Sequence, residues 1–384
     1  RDPRPCVAII GLGLIGGSMA KALSRHGGYR VFGSDLDPAA VAWMQETGAI
    51  KGVADTAAGG CSELVVPARR GRALIFECRG RPQFPRRRGR LNAIRGGETV
   101  KQQYQIVKKK VLTPEISQIS VHAPLIAAKA KAGQFIILRV DENGERIPLT
   151  ISSADQENGT ITVIFQKVGG TTLALDQLNE GDCLHDFVGP LGEPTHVEDL
   201  GRVAVLGGGL GCAIALPVAR ALHEAGNQVD LIGGFKTKDI VILEEEMSHA
   251  CTDLHICTDD GTYGYHGFVT GKLEELINSG VKFDHVFAIG PLMMMKFACK
   301  LTEKYSIPTT VSMNPIMIDG TGMCGGCRLT VGGEVKFACV DGPNFDGHQV
   351  DFDEVIARNA TYREFEAERK RDHLCRLGGG ALNG

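Results

Sequence analysis

Three cysteines near the end of the sequence have the spacing of a metal-cluster site. A plant-type [2Fe–2S] site uses Cys-x4-Cys-x2-Cys plus a distant cysteine. The chain reproduces this spacing if an aspartate takes the first position, as Asp319, Cys324, Cys327 and Cys339. The intervening glycines allow the backbone to wrap closely around a cluster. We therefore expect these four residues to hold a [2Fe–2S] cluster, whose reduction potential is altered because a carboxylate is a harder ligand than a thiolate.

A zinc site of three cysteines and one aspartate is an alternative interpretation of the same residues. Zinc ribbons usually combine two Cys-x2-Cys pairs, and this region of the sequence contains one, Cys324 and Cys327. A free pair of redox thiols is a third interpretation. Other cysteines, such as Cys212 and Cys257, fall on predicted helices and strands, where they are expected to be core residues.

Two further sets of residues could hold a flavin. The first set lies on a predicted strand and comprises Arg146, Pro148, Leu149 and Thr150. A guanidinium offers two parallel donors to a diphosphate, and a hydroxyl and nearby backbone can bond a flavin ring. The second set opens a predicted helix, whose N-terminus suits a diphosphate, and comprises Gly169, Gly170, Thr171 and Thr172. An arginine on a solvated strand edge and an ordinary helix cap would explain the same residues.

Another group has the pattern of a nucleotide-binding turn. A predicted strand over 203–206 leads directly into Gly207, Gly208, Gly209 and Gly211, which open a helix. Glycines here let the backbone approach a diphosphate at the helix N-terminus. Asp230, interpreted as the end of the next strand, could bond the ribose hydroxyls of NAD, whereas Lys236 or Lys238 could hold the 2′-phosphate of NADP. Two later strand ends add the candidates Asp260, Gly290 and Pro291, with ordinary turns as the alternative.

The elements that must position these groups change type along the chain. From 104 to 192, short β-rich runs separated by turns predict a small antiparallel barrel. From 202 onward, strands alternate with helices, which predicts a doubly wound parallel sheet. We expect an FAD-binding β-barrel over 101–197, an α/β nucleotide domain over 198–310, and a cluster loop with a tail over 311–384. The predicted fold class is therefore mixed.

Residues 1–60 predict a partial Rossmann unit. A strand over 6–10 leads into the glycine loop 11–16, a helix, and a second strand that ends at Asp35. The run from Gly11 to Ser18 resembles the N-terminus of prephenate and arogenate dehydrogenases. After residue 57 the pattern shows none of the later strands of such a domain. We therefore expect a structural or vestigial fragment in preference to a working NAD site.

Residues 61–100 are rich in arginine and show no sustained helical or strand period, which predicts a disordered linker. An RNA-binding arm is an alternative, which would require stacking aromatic residues among the arginines. One hypothesis for residues 1–100 is that two reading frames have been joined. A single transcribed frame across 55–105 in the source genome would contradict it.

Composition excludes several classes of function. The net charge of −3 gives no reason to expect a nucleic acid or an anionic membrane as partner, and no apolar run has transmembrane length. The 12 cysteines are mostly scattered, which favours a reducing cytoplasm over a disulfide framework. We also find no Ser–His–Asp set, paired-carboxylate site or kinase signature.

The order of barrel, flavin motif, nucleotide domain and cluster loop resembles the ferredoxin reductase superfamily. Residues 101–377 are similar to the dihydroorotate dehydrogenase electron-transfer subunit family. Within it they most resemble the small subunit of NADH-dependent ferredoxin:NADP oxidoreductases, also described as a sulfide dehydrogenase subunit. Asp319, the run 338–346 and the charged tail after Asp351 carry this likeness. Subunits that serve dihydroorotate dehydrogenase generally keep a fourth cysteine.

The resemblance implies an oxidoreductase acting on NAD(P)H with an iron–sulfur protein as acceptor. Its implied cofactors are FAD, a [2Fe–2S] cluster and NAD(H), which do the chemistry without catalytic acid–base residues. The implied partner is a larger subunit with its own FAD and [4Fe–4S] clusters, in a heterodimer that bifurcates electrons and reaches ferredoxin through the complex.

Three alternatives remain at this stage. The chain could be an electron-transfer subunit of dihydroorotate dehydrogenase, or, from its N-terminal motif, a prephenate-type dehydrogenase. It could also be a non-enzymatic scaffold stabilised by zinc or bound to RNA. The sequence leaves open the choice between NAD and NADP and the direction of electron flow.

Overall fold

The structure, a computed structural model, describes residues 104–360 throughout and, before them, only Gln45 and five strands. These strands are β1 (Cys6–Ile10), β2 (Arg30–Ser34), β3 (Leu64–Arg69), β4 (Arg72–Ala73) and β5 (Phe76–Glu77). Contacts divide the chain into two units, Arg1–Gly97 and Glu98–Gly384. Within the described residues, no helix is both long enough and apolar enough to cross a membrane.

The first unit has its earliest strand between two parallel neighbours. β1 pairs with β2 on one side and with β3 on the other, and β3 also pairs with β4 and β5 in antiparallel fashion. These last three strands correct two expectations, namely a linker without strands over 61–100 and a Rossmann unit without later strands. The apolar run at the start of β3 is long enough to pair with β1. The glycine loop 11–16, Asp35 and the rest of the predicted linker lie outside the described residues.

An antiparallel sheet of six strands begins the second unit. Its strands are β6 (Ile106–Thr113), β7 (Ile116–His122), β8 (Phe135–Arg139), β9 (Ile147–Asp155), β10 (Thr160–Gln166) and β11 (Asp186–Leu191). They lie in the order β11-β8-β9-β10-β7-β6. Two short helices, α1 (Pro124–Ala127) and α2 (Gly170–Gln177), follow β7 and β10. The alternation that predicted strands is visible in β10, where Ile161, Val163 and Phe165 are fully buried.

The predicted barrel is barrel-like but not closed. Its edge strands β11 and β6 do not pair along their length. They are joined instead by one bridge between Gln105 and Cys183, reinforced by a hydrogen bond from Ile106 N to Asp182 O of 2.8 Å. The start of β6 therefore bonds to the backbone just before β11, whereas in a closed barrel β6 would pair with β11 itself.

A second sheet is parallel over six strands. They are β12 (Arg202–Gly208), β13 (Gln228–Phe235), β14 (Asp253–Thr258), β15 (Tyr265–His266), β16 (His285–Ile289) and β17 (Thr309–Ser312). The order β15-β14-β13-β12-β16-β17 reverses direction between β12 and β16, as in doubly wound folds. The connecting helices are α3 (Gly211–Glu224), α4 (Glu244–Ser248), α5 (Val269–Asn278) and α6 (Leu292–Lys304).

The C-terminal segment completes the parallel sheet and adds a hairpin. The hairpin consists of β18 (Arg328–Val331) and β19 (Glu334–Phe337), followed by β20 (Asn344–Asp346) and α7 (Phe352–Ala360). β20 lies antiparallel to β17, with Val311 paired to Phe345. The predicted boundary at residue 310 therefore divides a continuous sheet, because β17 spans it and β20 lies beyond it.

Candidate functional site

A cleft of about 690 Å³ lies between the antiparallel sheet and the parallel sheet. It brings together three residues of the predicted flavin strand with five of the predicted nucleotide loops. These residues are Pro148, Leu149, Thr150, Gly208, Gly209, Gly211, Gly290 and Pro291. The cleft lies where the order of the parallel strands reverses, which is where open α/β sheets bind ligands.

The glycine turn after β12 has the conformation that a diphosphate cradle requires. Gly209 has a φ of +57° and no atom near the position of a Cβ, so its backbone is open to the cleft. A Cβ at Gly211 would collide with the carbonyl of Ile289, which lets α3 begin directly beside β16. Gly207 lies inside β12, where a Cβ would be 2.9 Å from the sulfur of Cys212, so its role is close strand–helix packing.

Asp230 does not lie where the sequence placed it. β13 runs from Gln228 to Phe235, so Asp230 is near its beginning, at the end of the sheet opposite the glycine turn. Its side chain is 2% exposed and accepts hydrogen bonds from Arg202 Nε (2.9 Å) and Arg202 Nη2 (3.1 Å). A third contact joins it to His255 Nε2 at 3.3 Å. The geometry corrects the expectation of a ribose contact, because the carboxylate is buried in an ion pair remote from the cleft.

At the end of β14, the residue that reaches the cleft is the neighbour of the one expected. Lys236 and Asp259 line it, whereas Asp260 is not among its lining residues. Asp260 Oδ1 accepts hydrogen bonds from the backbone N (3.0 Å) and hydroxyl (2.7 Å) of Thr262, which lower the pKa of this exposed carboxyl. Asp260 therefore stabilises its own turn.

Arg146 and the start of α2 are held near each other outside the cleft. Arg146 Nη2 is 3.4 Å from Asp186 Oδ2. The hydroxyl of Thr171 donates to Glu145 Oε2 at 3.1 Å, which joins the first turn of α2 to the residue preceding Arg146. The Thr172 hydroxyl accepts from Gly169 N at 3.0 Å and donates to Gly169 O, so it caps the helix that starts at Gly170.

Two arginines approach the same aspartate at this place. Arg139 Nη2 lies 2.8 Å from the same Asp186 oxygen that Arg146 approaches, so two guanidiniums share one carboxylate. Arg139 Nε is buried without a hydrogen-bond partner among the described residues. An unsatisfied buried donor is costly, and a diphosphate between the two arginines and α2 would supply acceptors. The residues therefore fit the diphosphate of a flavin dinucleotide.

The cluster loop brings its four predicted ligands into two neighbouring pairs. Asp319 Oδ2 accepts a hydrogen bond from Cys324 N at 2.9 Å. Cys327 and Cys339 are buried, at 1% and 2% exposure, and lie in contact with each other. Burial and the contact with Cys327 raise the pKa of Cys339 to about 12. Since iron binds the thiolate, cluster assembly has to displace this proton.

The surroundings of these sulfurs fit a [2Fe–2S] cluster, which takes its ligands in pairs, one for each iron. Gly322 N donates to Cys339 Sγ at 3.2 Å and Gly326 N to Cys324 Sγ at 3.4 Å. Such N–H donors stabilise negative charge on sulfur. Across residues 104–360, no three His, Cys, Asp or Glu side chains converge closely enough to hold a single metal ion.

Both arms of the cluster loop begin at the wall of the cleft. Met317 and Pro343 line the cleft, and they lie just before Asp319 and just after Cys339 in the sequence. Neither residue was predicted to line the site, nor were Phe135, Met294 and Met313, which also line the cleft. Apolar residues of this kind carry no motif, and only Met317 and Pro343 could have been indicated, by their position near Asp319 and Cys339.

Comparisons with known proteins agree with this arrangement. Residues 314–351, which contain all four predicted ligands, match the model of the iron-sulfur cluster binding domain of dihydroorotate dehydrogenase B. The prephenate dehydrogenase resemblance of the N-terminus finds no support.

The similarity to this chain extends over nearly the whole length of two curated relatives. An uncharacterized protein in the adh 3′ region of Clostridium beijerinckii is 51% identical over 273 residues, 69% of this chain and 92% of that protein. A dihydroorotate dehydrogenase B (NAD(+)) electron transfer subunit homolog from Thermotoga maritima is 45% identical over 262 residues, 68% of this chain and 92% of that protein.

A solved structure extends the likeness to the fold. It is a chain of the NADH-dependent reduced ferredoxin-NADP oxidoreductase, studied for flavin-based electron bifurcation, with 42% identity and a TM-score of 0.67. The match covers 71% of this chain and 99% of that one. These likenesses support the ferredoxin reductase-like fold and FAD, a [2Fe–2S] cluster and NAD(H) as cofactors. The chain belongs to the family of dihydroorotate dehydrogenase B electron transfer subunits.

Proposed function

We propose that this chain is the electron-transfer flavoprotein subunit of an electron-bifurcating ferredoxin:NADP oxidoreductase. One observation carries the proposal: a single cleft is lined by the flavin strand, by the nucleotide turn and by both arms of the cluster loop. The three groups implied by the family would therefore meet at one place. The likeness to the ferredoxin-NADP oxidoreductase chain favours this complex.

The residues of the chain bind and orient, whereas the cofactors carry the electrons. When bound, NADH supplies a hydride, the flavin accepts its two electrons, and the cluster carries one electron at a time. Arg146 and the first turn of α2 would hold the FAD diphosphate, and Thr150 would face the flavin ring. The turn from Gly208 to Gly211 would hold the diphosphate of NADH. Apolar lining residues such as Phe135 and Met294 exclude water from the cleft.

The proposed partner is a larger subunit that carries FAD and [4Fe–4S] clusters. Three exposed apolar side chains surround the cluster loop, namely Ile318 (53%), Met323 (45%) and Val340 (42%). A Cβ at Gly322 would be 2.7 Å from Val340, and one at Gly326 would be 3.7 Å from Ile318, so these side chains lie directly on the loop. Exposed apolar groups around a redox centre suit a protein partner that accepts its electrons. An iron–sulfur protein is the proposed final acceptor, and the cytoplasm the proposed compartment.

Electron transfer to a dihydroorotate dehydrogenase is the second candidate. It is favoured by the Thermotoga maritima relative at 45% identity. The two candidates differ in the partner that restores turnover, since one requires the larger bifurcating subunit and the other a dihydroorotate-oxidising subunit. Asp319 at the first ligand position favours the first candidate through the resemblance described above.

An anaerobic visible spectrum of the purified chain, with iron and acid-labile sulfide assays, tests the cofactors. We expect flavin bands and about two irons and two sulfides per chain, bleached by NADH. A colourless protein that contains zinc would overturn the proposal. Addition of the purified larger subunit with ferredoxin, or of a dihydroorotate dehydrogenase with dihydroorotate, then separates the two candidates.

A further inference from the structure

A partly buried side-chain hydrogen bond helps to fasten the cluster loop to the antiparallel sheet. Asn344 Nδ2 donates to Thr195 Oγ1 at 2.8 Å, across 149 residues of sequence. Thr195 is 9% exposed, and its backbone N donates to Ala132 O at 2.9 Å, which ties it to the segment just before β8. Asn344 is the first residue of β20 and directly follows Pro343 of the cleft wall.

The surrounding backbone is shaped to admit this contact. Gly133 has a φ of +84°, and a Cβ there would overlap the hydroxyl of Thr195 and lie 3.1 Å from Asn344 Nδ2. Glu193 N donates to Gly342 O at 2.6 Å, which adds a second attachment between the same two segments. Met313 N donates to Pro343 O at 2.8 Å, so the segment is also held on its other side by the parallel sheet.

The fastened segment connects the cluster with the cleft. It runs from Cys339, a predicted cluster ligand, to Pro343, which lines the cleft together with Phe135 and, like Phe135, lies next to Gly192. Its position therefore determines how far the cluster lies from the flavin. Misplacement by about 1 Å can slow a reaction step on the order of a hundredfold when it depends on geometry.

We infer that Thr195 and Asn344 are positioning residues that set the rate of electron exchange between the flavin and the cluster. The inference rests on the proposed function. In the step concerned, NADH has given a hydride to the flavin. One electron then passes from the flavin and reduces one ferric ion of the cluster to ferrous, and the other remains on the flavin until an external acceptor reoxidises the cluster.

The test follows the two phases separately after the chain, loaded with FAD and cluster, is mixed anaerobically with NADH. Flavin bleaching is recorded by stopped-flow absorbance, and cluster reduction by freeze-quench electron paramagnetic resonance. In Thr195→Val, which loses the acceptor at nearly constant volume, we expect cluster reduction to slow by about tenfold with flavin bleaching unchanged. Thr195→Ser keeps the hydroxyl and should retain the wild-type rate.

Ser120→Ala is the matched control. The Ser120 hydroxyl contacts the Thr162 hydroxyl at 2.8 Å within the same sheet, and neither residue lines the cleft. Its loss should leave both phases unchanged. Hydrogen–deuterium exchange of the same variants without NADH gives an independent measurement, in which Thr195→Val should accelerate exchange of the amides of 340–342 and 344 and Ser120→Ala should not.

Equal rates of cluster reduction in wild type, Thr195→Val and Asn344→Ala would overturn the inference, as would equal slowing in Ser120→Ala. A wild-type chain that takes up neither flavin nor cluster would instead overturn the proposed function. The two failures are therefore distinguishable.

Discussion

Asp230 and Arg202 form an ion pair at the beginning of two adjacent parallel strands, with Arg202 Nε 2.9 Å from Asp230 Oδ2. The nucleotide turn lies at the other end of the same strands, after Gly208. The carboxylate that resembles a ribose ligand in the sequence is therefore a structural group. Its contribution should be to stability rather than to cofactor affinity.

Replacing this carboxylate should destabilise the fold without weakening NADH binding. Asp230→Asn leaves Arg202 without its buried partner, and we expect the free energy of unfolding to fall by about 3 kcal/mol. This is the lower end of the usual range, because the Arg202 side chain is 32% exposed. Denaturant unfolding and NADH titration measure the two effects. Asp259→Asn, at the cleft, should show the opposite pattern, and weakened NADH binding in Asp230→Asn would contradict the assignment.

The same ion pair predicts a pH dependence. Burial opposes ionisation of Asp230, but hydrogen bonds from His255 and Arg202 outweigh it and lower the pKa below the ordinary 3.8. A lowered pKa in the folded state gives stability that is present above the unfolded-state pKa and lost as the pH falls through the folded-state value. The stability difference between wild type and Asp230→Asn should therefore be constant near neutral pH and shrink below pH 3.8. A difference that persists unchanged in acid would argue against this ion pair.

A side chain at Gly209 should weaken NADH binding selectively. The residue has a positive φ and faces the cleft, so Gly209→Ala adds both backbone strain and a methyl group at the diphosphate position. Gly226→Ala is a matched control, because Gly226 also has a positive φ (+90°) and open space but does not line the cleft. Both variants should lose about 1–2 kcal/mol of stability, and only Gly209→Ala should raise the NADH concentration needed for half-maximal flavin bleaching. Equal NADH titrations would count against the turn as a nucleotide site.

Removing a buried thiol of the cluster loop should remove iron. Cys327→Ser should lower iron and sulfide content to near zero and abolish the visible bands of the cluster, while the flavin bands remain. Cys251→Ser serves as the control, since Cys251 is another buried thiol and donates to the carbonyl of Met247.

Asp319→Cys should keep two irons and shift the reduction potential of the cluster, measured by redox titration. An unchanged potential would show that Asp319 is not a ligand.

A charge on the apolar rim of the cluster loop should prevent assembly with the larger subunit. Val340→Asp places a carboxylate beside Gly322, where the partner is proposed to bind. Val107→Asp on β6 is the control, since the two valines are almost equally exposed, at 42% and 43%. Co-purification with the larger subunit and size-exclusion chromatography report the outcome. Retention of the complex in Val340→Asp, or loss of it in both variants, would place the interface elsewhere.

Much of the fold could be predicted from local patterns. The sequence changes from successive short strands to strands that alternate with helices, and this change separates the two sheets correctly. Each pattern follows from which faces of the elements are buried. The cluster loop could be recognised from Cys324 and Cys327, since cluster chemistry dictates their spacing. Eight residues of the predicted flavin and nucleotide motifs line the cleft. Residues such as Thr150 and Gly209 would contact a ligand through the backbone or a short side chain.

The errors arise where packing decides the end of an element. Gly233 and Gly234 suggest a loop after Asp230, yet both lie inside β13. A Cβ at Gly234 would be 2.5 Å from Val269, and one at Gly233 would be 3.5 Å from Cys212, so helices on the sheet approach the strand closely. This close packing of helices on the strand depends on tertiary contacts, which cannot be predicted from the sequence of the strand alone. The same holds for β20, whose three residues become a strand only beside β17.

The single bridge between Gln105 and Cys183 has a consequence for solubility. β6 is the last strand in the order of its sheet, and β7 is its one neighbouring strand there, so its other side is a sheet edge. Exposed edge strands invite pairing with other chains, and lysines discourage it. β6 carries Lys108, Lys109 and Lys110 in succession. Lys109 Nζ is held by the carbonyl of Leu178 at 2.8 Å, whereas Lys108 and Lys110 are exposed. These two lysines therefore protect an open sheet against edge-to-edge aggregation, a protection that a closed barrel would not need.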